Sequence, residues 1–202
     1  MQINLVTTNL GKVREFKVIL RDKVKVNHIN QEYNELRSDN PEEIAKDAAK
    51  RLVDKLKKPI VVEDSGLFIK ALNDFPGTCS SYIHKRIGLK GILKLMGNVD
   101  DRSCYYRSAV GYCEPGKEPI SFLGEEQGSI AEKIKGSHGF GHDPIFVPEG
   151  TRKPSDKNDS VSGTNSVGIE KTYGEIKNCE NIKKFRRIAV EKLKEYLEKM
   201  EE

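Results

Sequence analysis

Polar and apolar positions change their period several times along this 202-residue chain. Residues 2–7 carry Ile3, Leu5 and Val6 as an apolar run and predict a strand. Residues 11–21 follow with Val13, Phe16, Ile19 and Leu20 at the spacing of one helix face. Residues 24–29 alternate with the two-residue period of a half-buried strand. Asn40-Pro41-Glu42-Glu43 predicts a helix start, in which Asn40 caps, Pro41 fits the first helical position and Glu43 reaches back as in a capping box. That helix continues through Ile44, Ala48, Leu52 and Leu56 to about residue 57, and residues 59–63 read as a buried strand. Strand–helix alternation of this kind predicts an α/β sheet.

The pattern then shifts. Phe75-Pro76-Gly77 reads as a turn, and two short helical stretches, 78–87 and 89–96, meet at Gly88. Residues 102–113 and 118–131 predict a long hairpin around Glu114-Pro115-Gly116-Lys117, which makes the sheet mixed. Ile145-Phe146-Val147 is a short strand after a glycine-rich turn. Residues 151–171 are rich in Ser, Asn, Asp and Lys without periodicity and predict a flexible loop. Residues 180–201 read as a charged helix with Ile182, Phe185, Ala189, Leu193 and Leu197 on one stripe. No internal repeat interrupts this order, and residues 1–202 read as a single domain.

Composition narrows the function classes. The charge is abundant yet nearly balanced, at a formal +4, which suits a modest anionic ligand better than a long nucleic-acid track. No apolar stretch approaches the ~18 residues of a membrane span, and the N-terminus lacks the pattern of a signal peptide. Cys79, Cys104, Cys113 and Cys179 form no CxxC pair, so they read as reduced thiols of a cytoplasmic protein rather than a zinc cluster.

Four segments carry candidate chemistry. In Thr7-Thr8-Asn9-Leu10-Gly11-Lys12, a strand passes through a small polar turn into a helix, which aims backbone N–H groups, a positive dipole end and the Lys12 charge at an anion. It is not a Walker A loop. Glu63-Asp64-Ser65-Gly66 places two carboxylates at a predicted strand end, the donor set of a divalent cation, with Glu35 joining if the fold brings it near. In Gly139-Phe140-Gly141-His142-Asp143-Pro144, glycines allow close approach to a flat ligand, Phe140 and His142 can stack, and Asp143 can accept from base N–H groups. His138 and His142 have a metal-like spacing, but a glycine-rich loop does not fix them on one face for zinc. Lys183-Lys184-Phe185-Arg186-Arg187 adds a basic face that either is solvated or reaches the nucleotide through Arg186 or Arg187.

In this order the segments resemble the inosine triphosphate pyrophosphatase, or Ham1-like non-canonical purine nucleoside triphosphate pyrophosphatase, family. Phe75-Pro76-Gly77 with Ser80-Ser81-Tyr82, Asp101-Arg102, and Thr172-Tyr173-Gly174-Glu175 extend the likeness over nearly the whole chain. The resemblance implies an elongated mixed sheet flanked by helices, two lobes around a central cleft, and a homodimer. It implies hydrolysis of ITP, dITP and XTP to the monophosphate and pyrophosphate with Mg²⁺, without a membrane or a stable nucleic-acid partner. Glu35 and Asp64 would hold the metal with Glu63 close by, and Asp64 with Lys12 would carry the chemistry. Thr7, Thr8, Asn9, Gly11, Lys12 and Ser65 would hold the phosphates. Phe140, Gly141, His142 and Asp143 would hold the base, with Lys183, Arg186 and Arg187 also against substrate.

Three departures qualify that implication. His142 stands where the family has Tyr or Trp, and its imidazole would make the site pH-sensitive near neutrality. The family's Ser-His-Arg becomes Lys184-Phe185-Arg186 or Phe185-Arg186-Arg187, with Lys177 and Lys183 as candidates for the preceding lysine. Residues 151–171 exceed the family pattern, as a lid or as a tolerated surface loop. A pyrophosphatase of different or relaxed base preference, and a non-catalytic nucleotide- or RNA-binding module, are the alternatives, and metal dependence separates an enzyme from a binder.

Overall fold

The computed structural model describes residues 1–21, 23–150 and 171–201. The chain builds β1 (Gln2–Val6), α1 (Leu10–Leu20), β2 (Lys25–Ile29), α2 (Pro41–Leu56), β3 (Ile60–Ile69), β4 (Phe75–Gly77), α3 (Ser80–Leu95), β5 (Ser103–Cys113), β6 (Ile120–Ile130), β7 (Phe146–Pro148) and α4 (Phe185–Glu201). Seven strands form one mixed sheet in the order β2-β1-β3-β5-β6-β7, with β4 on β3. β1 runs parallel to β2 and β3, and the remaining pairs are antiparallel. The expected α/β mixed sheet is thus the observed one. The loop predicted over residues 151–171 lies, save for Lys171, outside the described residues.

Local chemistry sets the helix starts. Asn9 Oδ1 accepts from Gly11 N at 2.8 Å and Lys12 N at 3.4 Å, capping α1 at the polar turn. Asn40 caps α2 by accepting from Glu42 N at 3.0 Å, with Pro41 at the first position. The capping box predicted for Glu43 is instead relayed. Asn40 N donates to Ser38 Oγ at 3.0 Å, and that hydroxyl donates to Glu43 at 2.7 Å.

Apolar residues bury both faces of the sheet. Val13, Phe16 and Leu20 of α1 meet Ala189, Val190 and Leu193 of α4 over Leu5, Val61 and Val110. On another side Ala45, Ala48, Leu52 and Val53 of α2 cover Val6, Ile60, Val62 and Ala109. A third cluster joins Leu67 and Ile69 to Ile92, Met96, Tyr106, Phe146 and Tyr173.

Several boundaries differ from the sequence expectation. β3 does not stop at Glu63: it pairs with β5 from Ile60↔Cys113 to Ile69↔Cys104, so Glu63, Asp64 and Ser65 sit within a strand and not at its end. The apolar Leu67-Phe68-Ile69 and the partner strand carry the polar triplet through. Residues 75–77, expected as a turn, form β4 and pair with Leu67–Ile69. The two α3 segments do meet at Gly88, where φ is 61° and ψ −169°. A 3-10 turn at Cys179–Asn181 precedes α4, so Ile182 is exposed instead of joining the apolar stripe.

The register of β3 creates the site. On one edge it pairs with β1 at Leu5↔Val61 and with β4 from Leu67 to Ile69. Glu63, Asp64 and Ser65 fall in the interval between, where β1 has ended and its turn into α1 begins.

Candidate active site

A cavity of about 620 Å³ opens over that interval. One wall is the β1–α1 turn, with Thr7, Thr8, Asn9 and Lys12. The turn is held from behind: Thr7 N donates to Ile29 O at 3.2 Å, Asn9 N donates to Thr7 Oγ1 at 3.1 Å, and His28 Nε2 lies 2.8 Å from Thr7 O. Asp64, Ser65 and Gly66 of β3 form the floor, and Tyr33, Asn34 and Glu35 come in from the β2–α2 loop. Phe140, Gly141, His142 and Asp143 form the facing loop, backed by Lys183, Phe185 and Arg186.

The sequence-predicted residues therefore separate into two groups. Thr7, Thr8, Asn9, Lys12, Glu35, Asp64, Ser65, Phe140, Gly141, His142, Asp143, Lys183 and Arg186 line one cavity. Gly11, Glu63 and Arg187 do not. Gly11 lies under Phe140, whose ring would be 2.7 Å from a Cβ added there, so glycine is what lets the aromatic ring rest on the start of α1. Arg187 is turned outward, its guanidinium donating to Asn181 O at 3.1 Å and lying 3.7 Å from Glu191.

Glu63 is committed elsewhere. Its Oε1 accepts from Ser108 Oγ at 2.5 Å and Arg186 Nε at 3.1 Å. Lys12 Nζ ion-pairs with Oε2 at 2.9 Å while donating its hydrogen bond to the Glu63 main-chain carbonyl at 2.7 Å. Burial alone would raise the Glu63 carboxyl, but Arg186 and Lys12 bring it down to about 2. Glu63 is thus held as a charged counter-ion to Arg186 and Lys12, outside the cavity lining that Asp64 and Glu35 share.

Asp64, its neighbour, behaves oppositely. Oδ2 is buried and has no hydrogen-bond partner. Burial pushes the carboxyl up to about 7, Lys12 opposing and Glu63 and Glu35 adding to the rise. Among the described residues no group of three or more His, Cys, Asp or Glu side chains is arranged to hold a metal ion. Asp64 and Glu35 on one cavity nonetheless fit a hard cation of the Mg²⁺ type, which takes one or two carboxylates and completes its shell with substrate phosphates and water.

The facing loop is braced by charge. Asp143 Oδ2 accepts from Phe140 N at 2.6 Å and from Lys183 Nζ at 2.7 Å. Lys183 also donates to Glu15 at 2.9 Å and sits 4.4 Å from the Phe140 ring centroid. Burial would lower the Lys183 ammonium, but Asp143 and Glu15 overcome it and raise its pKa. Asp143 is 1% exposed with one oxygen already taken, so it braces the loop beyond any part it has in reading a base. His142 has an unpartnered Nε2 and lies edge-on to His84 with ring centroids 5.0 Å apart. Burial, with His84, lowers its pKa to about 4. The imidazole is therefore neutral at neutral pH, which corrects the expected sensitivity there.

Sequence reasoning assigned no role to several participants. Tyr33, His84 and Lys85 line the cavity, and Ser80 holds the start of α3 against β3 by accepting from Leu67 N at 2.8 Å and donating to Gly77 O at 2.7 Å. Their signal was slight, since each sits among ordinary polar residues. Glu15 had a clearer one: it shares the face of Phe16 and Ile19, where an isolated carboxylate needs a partner.

The sequence profile of the Ham1 family matches residues 3–196. The chain is 49% identical over 151 residues to a protein described as dITP/XTP pyrophosphatase from Methanopyrus kandleri, covering 74% of this chain and 80% of that one. A protein so described from Korarchaeum cryptofilum is 35% identical over 95% of this chain and 93% of its own length. Among solved structures, the Staphylococcus aureus Ham1 protein superposes with a TM-score of 0.77 at 26% identity, covering 99% of this chain and all of the other.

Proposed function

We propose, because the chain belongs to the Ham1 family, that its cavity hydrolyses dITP, ITP and XTP to the nucleoside monophosphate and pyrophosphate. One observation carries this: the Thr7–Lys12 cradle, the unpartnered Asp64 carboxylate and the Phe140–Asp143 loop line the same cavity. The triphosphate lies along the cradle, where Thr7, Thr8, the α1 start and the Lys12 charge meet its oxygens. Mg²⁺, held by Glu35 and Asp64, supplies neutralisation of the phosphate charge when bound. Asp64, whose Oδ2 is buried without a partner, orients the attacking water and takes its proton. Positioning contributes much of the remainder.

The base rests against Phe140 and the neutral His142. A site that donates to O6 and accepts from N1–H leaves a buried donor unpaired when adenine enters, at a cost of about 1–3 kcal/mol. The protein is a single domain of two lobes about this cleft and acts in the cytoplasm as a homodimer. Tyr82, Ile87 and Leu95 on α3, all exposed, support a face for a second copy, and no helix among the described residues is long and apolar enough to cross a membrane.

The test is pyrophosphate release from dITP, XTP, GTP and ATP, with Mg²⁺ and with chelator. Fast, metal-dependent release from dITP and XTP is expected, with ATP slow and GTP reporting what the site makes of the 2-amino group, and Asp64→Asn should abolish release while leaving the circular dichroism spectrum unchanged. Equal rates on all four would replace this reading with one of relaxed base preference. No release from any would replace it with nucleotide binding alone.

A further inference from the structure

Glu15 is 2% exposed and lies on α1, below the cavity and outside its lining. Among the described residues it is the one carboxylate that holds two buried cations from the far end of the chain. Lys183 Nζ donates to its Oε1 at 2.9 Å, and Arg186 Nη1 is bonded to its Oε2. Each cation then reaches a different wall. Lys183 goes on to Asp143, and through it to the Phe140 amide. Arg186 goes on to Glu63 at 3.1 Å and Ser65 Oγ at 2.9 Å.

We propose that Glu15 is a positioning residue for nucleotide recognition, fixing Lys183 beside the base loop and Arg186 beside the β3 floor so that the two walls are held in one relative arrangement. This rests on the proposed nucleotide site. Three cations, Lys12, Lys183 and Arg186, are ion-paired with three carboxylates, Glu15, Glu63 and Asp143, so the paired set is neutral. Removing the Glu15 charge leaves one cation in excess. Lys183 and Arg186 lie three residues apart and would then repel, with the cavity as their outlet. A free ammonium there favours bare phosphate, whereas the base loses the fixed Phe140 platform. The signature is thus a divergence between two ligands, which a merely structural carboxylate would not produce.

The experiment compares Glu15→Gln, Glu15→Asp and the wild type for binding of dITP, supplied as its uncleavable α,β-methylene analogue, and of inorganic pyrophosphate, by calorimetry in Mg²⁺ well below each protein's unfolding midpoint. Glu15→Gln should weaken dITP about tenfold or more, the scale on which groups behind a site's direct ligands act. Pyrophosphate affinity should hold or rise, and Glu15→Asp should recover most of the dITP loss. Because both act through Lys183, adding Lys183→Met to Glu15→Gln should cost less than the sum of the single effects. Unchanged dITP binding, or equal weakening of both ligands, overturns the proposal. Calorimetry also separates the two readings: a wild type that binds dITP but releases no pyrophosphate removes the catalytic reading and leaves Glu15 under test.

Discussion

Glu63 and Asp64 are neighbours in sequence with opposite electrostatic fates, because alternate residues of a strand face opposite sides. Glu63 turns to Arg186 and Lys12 and is held at about 2, while Asp64 turns to the cavity and rises to about 7. The same dependence on surroundings gives His142 a pH consequence. Its folded pKa of about 4 lies below the ordinary 6.5, so the unfolded state binds the proton more readily. His142 therefore contributes stability that is complete above pH 6.5 and is lost as pH falls through 4, about 3 kcal/mol in all. Urea unfolding of wild type and His142→Phe at pH 7 and pH 4 isolates it: the wild type should lose more stability by about that amount. Parallel losses would mean that His142 is protonated as easily folded as unfolded. At this scale the residue types were legible and their commitments were not. Thr7 to Lys12, Asp64 and Phe140 to Asp143 could be named from the chain, but that Glu63 serves Arg186 depends on a contact across 123 positions.

Elements with local signals were the most readable. Asn9 and Asn40 cap the helices they precede, and Gly88 breaks α3. Elements defined by a distant partner were not. β3 runs on through Asp64-Ser65-Gly66 because β5 pairs with it throughout, and Phe75–Gly77 becomes a strand because β3 offers an edge. The first turn of the expected last helix gives way to a 3-10 turn that leaves Lys183 ahead of α4. The local signals make a quantitative expectation. Asn40→Ala removes the bond to Glu42 N and should cost about 1 kcal/mol. In a chain of this length that lowers Tm by about 2–4 °C. Calorimetry should find that drop with pyrophosphate release unchanged, since Asn40 is outside the cavity lining. A loss of activity at unchanged Tm would instead make the α2 start part of the site, through Ser38 and its contact with Thr78.

At the scale of the whole molecule, Arg186 joins parts of the chain that lie far apart in sequence. It touches Glu15 of α1 and Glu63 and Ser65 of β3, and it belongs to the α4 helix that covers one face of the sheet. A buried pair is weak evidence of net stabilisation, because desolvation offsets much of the attraction. Breaking it from one side is another matter, since the partners remain buried and charged. Arg186→Met leaves Lys12 as the one cation on Glu63, and Lys183 as the one cation on Glu15, among the described residues. The expected loss is about 3–5 kcal/mol. Because the contacts span α1, β3 and α4 together, that loss should fall on global unfolding and not on fraying of the last helix. Urea denaturation followed by far-ultraviolet dichroism and by tyrosine fluorescence should give coincident transitions shifted to lower urea. If the helical signal fell first while the fluorescence midpoint stayed at the wild-type value, α4 would be an independently opening unit. Arg186 would then be a local anchor of that helix, and Lys183, which reaches Glu15 and Asp143 but not β3, would hold the base loop to α1 without tying it to the floor.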